Sequence, residues 1–123
     1  VYAAIDPYRD SFSKEIAYCR DKLSAGVDGF FTQPLFDLRL LEIYAEQLTD
    51  TEVFWGLCPV VGERSQNYWT KRNAVVFPKG FRADLQWNRD FSSSVVEYVR
   101  KHSGHVYFMP IKVPVVDYLD GII

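Results

Sequence analysis

Cysteine, histidine and methionine are scarce in this sequence, which contains two cysteines, two histidines and one methionine. Cys19 and Cys58 lie far apart, and neither has another Cys or His nearby at the spacing of metal ligands. A disulfide framework and a zinc site are therefore not expected. The two cysteines are expected to act as small buried apolar groups. Such sparse cysteine usage favours a cytoplasmic location.

Basic residues are not in excess, and long apolar runs are missing. Lys and Arg total 14 against 16 Asp and Glu, so the formal net charge is -2. General nucleic-acid binding is not expected, because such proteins carry a basic surface. The longest apolar runs, such as residues 53–61, are far shorter than the ~20 residues that cross a bilayer. No membrane span is expected either.

Common catalytic motifs are also absent. The sequence has no G-x-S-x-G, P-loop, G-x-G-x-x-G or H-E-x-x-H pattern, so the hydrolase, nucleoside-triphosphate, dinucleotide-fold and zincin functions have no support. His102 and His105 flank a predicted helix end, and structural or surface roles are expected for them. The chain begins at Val1 without an initiator Met or a signal-peptide pattern, which predicts a fragment of a longer protein.

The residues that are present have the composition of one folded domain, with 48% hydrophobic and 24% charged residues. Short apolar runs, each followed by a proline, predict strands over residues 1–5, 27–33, 53–58 and 105–109. The proline after the second run is expected to forbid further pairing beyond Gln33.

Amphipathic spacing predicts helices between these strands. The first covers residues 12–23 with Ser11 or Ser13 as N-cap, and the second covers residues 38–48 with Asp37 as N-cap. A later helix contains residues 91–99 and has Ser92 to Ser94 as cap candidates. Residues 62–65 are interpreted as loop or the start of a weakly marked helix, and residues 73–87 as loop with a helical turn.

The alternation of strands and helices predicts an α/β fold built from parallel βα units. Four such units in 123 residues amount to about half of the ~250 residues of an eight-stranded TIM-type barrel. Residues 1–123 are therefore expected to form a single partial domain, the second half of a TIM-type (βα)8 barrel. Half a barrel has open strand edges and an uncovered inner face.

Active sites of such barrels lie where the strands end, which directs attention to residues 6–9, 32–36, 58–61 and 109–112. Gln33 offers amide donors and an acceptor that match a planar amide-like edge, such as that of a pterin. The alternative is that Gln33 satisfies loop backbone beside Pro34. Lys112 suits a carboxylate or phosphate, and its alternative is a solvated position on the rim.

Residues 21–37 resemble a signature of the methylenetetrahydrofolate reductases. They read D-K-L-S-A-G-V-D-G-F-F-T-Q-P-L-F-D, against the family pattern K-x-x-A-G-A-x-x-x-x-T-Q-x-x-F-D. Residues 56–60, G-L-C-P-V, are similar to the G-I-x-P-V strand end of that family, and residues 1–6 take the place of its A-A-Y-P strand. The similarity covers residues 1–61 and returns weakly at residues 105–112.

This resemblance implies a flavoprotein with a TIM-type barrel that reduces methylenetetrahydrofolate to methyltetrahydrofolate with FAD and NAD(P)H. By the same resemblance, Gln33 contacts the pterin edge of a reduced folate and Lys22 lies near the FAD. Lys112 is the nearest match to a basic folate-binding residue at the last strand end. Phe36 is expected to wall the pterin pocket together with the Pro59 loop.

The flavin segment Tyr-Pro-x-x-His of the family reads Ile5-Asp6-Pro7-Tyr8-Arg9 here, which leaves Tyr8 and Arg9 as candidate flavin neighbours. Weak or absent flavin binding is expected from this departure. The acidic residues of the family that act on substrate and flavin belong to the first half of the barrel.

Three hypotheses follow: the C-terminal half of a reductase, a non-catalytic folate-binding or interaction module on the same scaffold, or a generic barrel fragment. The expected partner is the missing barrel half or a second copy.

Overall fold

A computed structural model describes all residues of the chain, from Val1 to Ile123. The strands are Tyr2–Ile5 (β1), Gly29–Pro34 (β2), Glu52–Leu57 (β3) and His105–Phe108 (β4). The helices are Phe12–Ser24 (α1), Leu38–Gln47 (α2), Glu63–Asn73 (α3), Leu85–His102 (α4) and Val115–Leu119 (α5). All four predicted strands are confirmed, each with ends within one or two residues of those expected.

The four strands form one parallel sheet in the order β1-β2-β3-β4. Each strand thus pairs with its neighbours in the chain, as consecutive βα units require. β1 and β4 have one partner strand each, so the two outer edges of the sheet are open. The expected α/β class with parallel βα units is confirmed.

The main core lies between one face of the sheet and the helices. Alternate strand residues point towards this core, including Phe30 on β2 and Val53, Trp55 and Leu57 on β3, all of which are buried. Leu41 of α2 belongs to the same cluster of buried residues. The hydrophobic effect therefore fixes this face of the sheet against the helices.

The opposite face of the sheet carries aromatic residues that remain partly exposed. Phe31 of β2 and Phe54 of β3 stack with ring centroids 4.5 Å apart, and Tyr2 and Tyr107 meet the Phe31 ring edge to face. Tyr2 is 41% exposed and Phe31 is 39% exposed. We call Tyr2, Phe31, Phe54 and Tyr107 the aromatic face. No helix covers this face, and its identity as the inner face of a barrel stays a prediction.

The first two helices start where capping chemistry predicts. The Ser11 hydroxyl accepts a hydrogen bond from the Lys14 backbone N–H at 3.3 Å, and the Asp37 carboxylate accepts one from the Arg39 backbone N–H at 3.0 Å. Both side chains satisfy N–H groups that have no partner within the helix. The predicted helices over residues 12–23 and 38–48 are confirmed.

The predicted cap of the fourth helix is wrong. α4 begins at Leu85, and Asp84 is its N-cap, accepting from the Trp87 backbone N–H at 2.7 Å. The proposed serine caps lie well inside the helix, where the buried Ser92 hydroxyl hydrogen-bonds the Tyr118 hydroxyl instead. Residues 62–65, interpreted as loop or the start of a weakly marked helix, are the start of the complete helix α3. Its N-cap is Gly62, which provides no side-chain hydrogen bond.

The expectation that β2 stops pairing at Gln33 is also wrong. Pro34 lies in register with Gly56 of β3, and the Leu35 N–H donates to the Gly56 carbonyl at 2.9 Å. Pairing continues because a β-bulge between Phe31 and Pro34 shifts the register, and the N–H of Leu35 then donates in place of the one that proline lacks. Proline removes only its own donor.

Candidate functional site at the carboxyl edge of the sheet

Because the four strands are parallel, their carboxyl ends meet at one edge of the sheet. The segments that follow β1, β2, β3 and β4 therefore converge there, and they include all four segments predicted from the sequence. Ligands of parallel α/β folds bind at this edge, where loops and free backbone groups meet.

Gln33 is the second-last residue of β2 and lies inside a β-bulge. Phe31 pairs with Phe54 and Pro34 pairs with Gly56, so two residues of β2 face one residue of β3. Gln33 is half-buried, and the side-chain hydrogen bonds around it join Pro34 and Thr32 to other residues and do not involve its own amide. The amide is therefore available to a ligand. That Gln33 binds a ligand stays a prediction, as does the alternative that it satisfies loop backbone.

Tyr8 lies beside this position but its hydroxyl is already used. The Tyr8 hydroxyl donates to the Pro34 carbonyl at 2.7 Å, and the Tyr8 backbone N–H donates to the Asp6 carboxylate at 3.0 Å. Burial, followed by the charges of Asp6 and Asp37, raises the pKa of Tyr8 well above its ordinary value. Tyr8 therefore remains a neutral phenol that ties the end of β1 to the end of β2.

Arg9 is held by a buried carboxylate. Its Nη2 lies 2.8 Å from Glu15 Oε2 and its Nε lies 3.3 Å from Glu15 Oε1. The hydrogen bond to Glu15 raises the pKa of Arg9, and the guanidinium also lies 5.6 Å from the centre of the Tyr18 ring. The face of Arg9 away from Glu15 is exposed, so the guanidinium keeps N–H groups for a further anion.

Lys22 lies at the other end of α1. Its ammonium donates to the Ala4 carbonyl on the open edge of β1 at 2.9 Å. Lys22, Glu15 and Arg9 therefore all lie along the seam between α1 and β1. A lysine ammonium has three donors, so two remain after this bond.

Phe36 is covered rather than open. It is 2% exposed and belongs to a second apolar cluster above the strand ends, which also contains Cys58, Val60, Trp69 and Val75. The Phe77 ring lies 4.8 Å from the Phe36 ring. That Phe36 walls a pterin pocket stays a prediction, and it requires this cover to move.

Lys112 is exposed and makes no ion pair, and its backbone lies in the left-handed region with φ of 61°. That arrangement presents the ammonium on the rim of the carboxyl edge. It is compatible both with a folate carboxylate and with a solvated surface position.

The bonds made by Tyr8, Arg9 and Lys22 determine which of their groups could contact a flavin. Arg9 and Lys22 keep free N–H groups along the α1 seam, and they would hold the phosphates or the ribose of FAD there. The Tyr8 hydroxyl donates its proton to Pro34, so Tyr8 has no donor left for a flavin. The fit to FAD is therefore partial.

The sequence analysis does not predict the roles of three residues at this edge. Asn88 of α4 is buried and braces the segment after β3: its Oδ1 accepts from the Val60 N–H at 3.0 Å, and its Nδ2 donates to the Val60 carbonyl at 2.8 Å. Tyr107 and Gly56 hold the bulge at Gln33. The one available signal was Gly56, because glycine inside a strand often marks a close approach.

Two clefts lie at opposite ends of the sheet. A small one of about 290 Å³ lies at the carboxyl edge between Tyr8, Asp37 and Val76. A wider one of about 840 Å³ lies at the opposite end of the sheet, against Trp55, Tyr98 and His102. His102 stacks on Tyr98 and His105 stacks on Phe54, so the two imidazoles lie on different faces of the sheet.

The helices are too short or too polar to cross a membrane. Comparison of the chain with models of protein families and with curated proteins found no match.

Proposed function

We propose that the chain is the second half of a TIM-type barrel of the methylenetetrahydrofolate reductase type. In this proposal it supplies the folate-binding side of an enzyme that reduces methylenetetrahydrofolate to methyltetrahydrofolate. The resemblance of residues 21–37 to the family signature supports the assignment. The consecutive parallel strands, their open edges and the partly exposed aromatic face support the barrel, because barrel closure would cover all of them.

The observation that carries the proposal is the free amide of Gln33. A pterin presents an amino-pyrimidinone edge with donors and acceptors side by side, and a carboxamide matches such an edge without adding charge. Gln33 as a residue is half-buried, and a ligand that covered its amide would exclude water and so strengthen the hydrogen bond between them. Substrate recognition is thus assigned to Gln33, with Lys112 near the carboxylates of the folate tail.

FAD is the cofactor that the resemblance implies, and when bound it supplies hydride transfer from NAD(P)H to the folate. On this chain, Arg9 and Lys22 would hold it through charge and hydrogen bonds. The chain contributes binding and orientation, and the acidic groups of the family lie in the other half of the barrel.

The test is a titration of the full-length protein and its Gln33 variants with a reduced folate. Gln33→Ala would leave the donors and acceptor of the pterin unpaired, and the expected loss of affinity is roughly tenfold to a hundredfold. Gln33→Glu should lose less, because it keeps acceptors for the amino and ring N–H donors. If Gln33 serves only the loop, both variants shift the melting temperature and leave folate affinity unchanged, which would refute the proposed role.

A second candidate, a non-catalytic folate-binding module on the same scaffold, is favoured by one observation. The Tyr8 hydroxyl donates to Pro34, and Arg9 and Lys22 each use part of their donors within the protein, which leaves fewer groups for a flavin. The two candidates differ in flavin content. A stoichiometric flavin absorbance spectrum of protein purified without added cofactor favours the reductase, whereas a colourless protein that binds reduced folate favours the module.

A further inference from the structure

The bulge that carries Gln33 is held by a backbone N–H of β3 and a side chain of β4. The Gly56 backbone N–H of β3 donates to the Thr32 hydroxyl at 2.8 Å. The Tyr107 hydroxyl of β4 donates to the Thr32 backbone carbonyl. Bulges interrupt the regular ladder and re-aim the side chains that they carry. Here both groups bond to the residue directly before Gln33.

The bond from Tyr107 acts on the backbone of Gln33 itself. The Thr32 carbonyl and the Gln33 N–H belong to the same peptide group, which is planar and rigid. Fixing that carbonyl therefore fixes the orientation of the peptide plane from which Gln33 starts. Tyr107 is distant in sequence, separated from Thr32 by 75 positions.

Gly56 leaves the space that this bond needs. Tyr107 pairs with Gly56 across β3 and β4, and the phenol passes over Gly56 to reach β2. A Cβ at position 56 would lie 2.7 Å from the Thr32 carbonyl oxygen and 2.8 Å from the Tyr107 hydroxyl, which is too close for any side chain. The Phe31 ring supports the phenol edge to face at 5.4 Å.

The phenol is also in the correct protonation state. Burial, with a smaller effect from Cys58, raises the pKa of Tyr107. Tyr107 therefore stays protonated at neutral pH, and its O–H can donate to a carbonyl.

We propose that Tyr107 is a positioning residue for Gln33, reaching over Gly56 to orient the Thr32–Gln33 peptide so that the Gln33 amide meets the pterin edge. The inference rests on the proposed folate-binding function. Tyr107 acts through Gln33 and needs no contact with the ligand. Substitutions of Tyr107 and Gln33 are therefore expected to have non-additive effects on folate affinity.

The experiment compares the full-length protein with Tyr107→Phe, Gln33→Ala and the double variant in titrations with a reduced folate. Tyr107→Phe keeps the ring and its packing and removes only the hydroxyl. We expect it to weaken folate binding roughly threefold to tenfold, as the loss of one hydrogen bond would. The double variant should bind no more weakly than Gln33→Ala alone, because the two changes act on one interaction. Unchanged affinity in Tyr107→Phe, or fully additive effects in the double variant, would overturn the proposal.

Tyr2→Phe is the matched control. It also removes a phenol hydroxyl from the aromatic face, one that donates to Glu52 at the opposite end of the sheet. Folate affinity should not change in this variant. Thermal melts of all variants separate a local effect on binding from a general loss of stability.

A second readout needs no ligand. In Tyr107→Phe, the carbonyl carbon of Thr32 and the amide groups of Gln33 should change their NMR chemical shifts, while Tyr2→Phe leaves them unchanged. If the wild-type protein fails to bind reduced folate, the proposed function fails, and these shifts still decide whether Tyr107 orients Gln33. Unchanged shifts at both residues would refute the positioning role on their own.

Discussion

Arg9 closes on the buried carboxylate of Glu15, with its Nη2 2.9 Å from Oε1 and 2.8 Å from Oε2. Glu15 is fully buried, and it also accepts the Asp6 backbone N–H at 3.1 Å. One carboxylate thus fixes the segment that follows β1 against the first turn of α1. The position of the Arg9 guanidinium therefore depends on Glu15.

Replacing Arg9 should therefore destabilise the protein. Arg9→Met leaves the Glu15 charge buried with only a backbone donor, and we expect the free energy of unfolding to fall by about 1–3 kcal/mol. The loss stays below that of a fully buried pair because 46% of the Arg9 side chain is exposed, so water replaces part of the interaction. Arg39→Met is the control, since Arg39 pairs with Asp37 on the surface. Denaturant titrations should show a clearly smaller change for Arg39→Met, and equal changes would contradict a special role for the buried pair.

Local signals in the sequence predicted the first half of the fold well. α1 and α2 have an N-cap side chain and a regular apolar period, and both were placed correctly. α3 has neither, because Gly62 gives no side-chain cap and Trp69 is its only buried residue. For the start of α4, three consecutive serines were a stronger local signal than Asp84. These serines do not cap α4, since Ser92 is buried against α5 and hydrogen-bonds Tyr118 there.

The site was predictable only where one residue is enough to suggest its chemistry. Gln33 follows an apolar run at a strand end, and its position at the carboxyl edge of the sheet is as expected, while its role in binding a ligand stays a prediction. The ion pair between Arg9 and the buried Glu15 was not predictable, because an acidic residue in a first helical turn ordinarily faces solvent. The hydrogen bond between Tyr107 and Thr32 joins strands that are not adjacent, and no local pattern marks such a contact.

The cysteines provide a prediction about pH. Burial raises the pKa of both Cys19 and Cys58 from 9.0 to about 11. A raised pKa in the folded state means that the native protein holds these protons more tightly than the unfolded chain. The corresponding stability is complete below pH 9 and is lost as pH rises towards 11. We therefore expect the melting temperature to fall between these pH values.

Thiol reactivity checks the same point. In the native protein at neutral pH, both thiols should react slowly with a disulfide reagent, and both should react at once after denaturation. A single Cys→Ser variant at each position assigns the rates. Fast reaction of either native thiol would contradict its burial.

Asn88 should be a strong determinant of stability at the carboxyl edge. Asn88→Ala leaves the N–H and carbonyl groups of the buried Val60 without partners, and the expected cost is about 2–4 kcal/mol in the free energy of unfolding. Asn88→Asp keeps the acceptor for the Val60 N–H but places a carboxylate against the Val60 carbonyl, so it should also destabilise. Gln86→Ala is the control on the same helix, because Gln86 is exposed and bonds only Asp90. Calorimetry should show little effect of Gln86→Ala, and a similarly small effect of Asn88→Ala would contradict the bracing role.

The last prediction concerns the behaviour of the 123-residue chain in isolation. β1 and β4 have open edges with unpaired backbone donors and acceptors, and the aromatic face beside them is partly exposed. Open parallel edges and a contiguous apolar surface promote association. We therefore expect the isolated chain to elute from size-exclusion chromatography as an oligomer or to aggregate.

A charged substitution on the aromatic face should reverse this association if the face is the surface that drives it. Phe31→Lys places an ammonium among the aromatic rings, where a partner could bury it only at high cost, so the variant should shift towards the monomer. Tyr68→Lys is the matched control, because Tyr68 is a large exposed aromatic residue on α3, away from the sheet. It should leave the elution volume unchanged. Circular dichroism verifies that each variant remains folded. A monodisperse wild-type monomer with a cooperative melt would contradict the half-barrel interpretation, because four parallel strands would then be stable with both edges and one face in water.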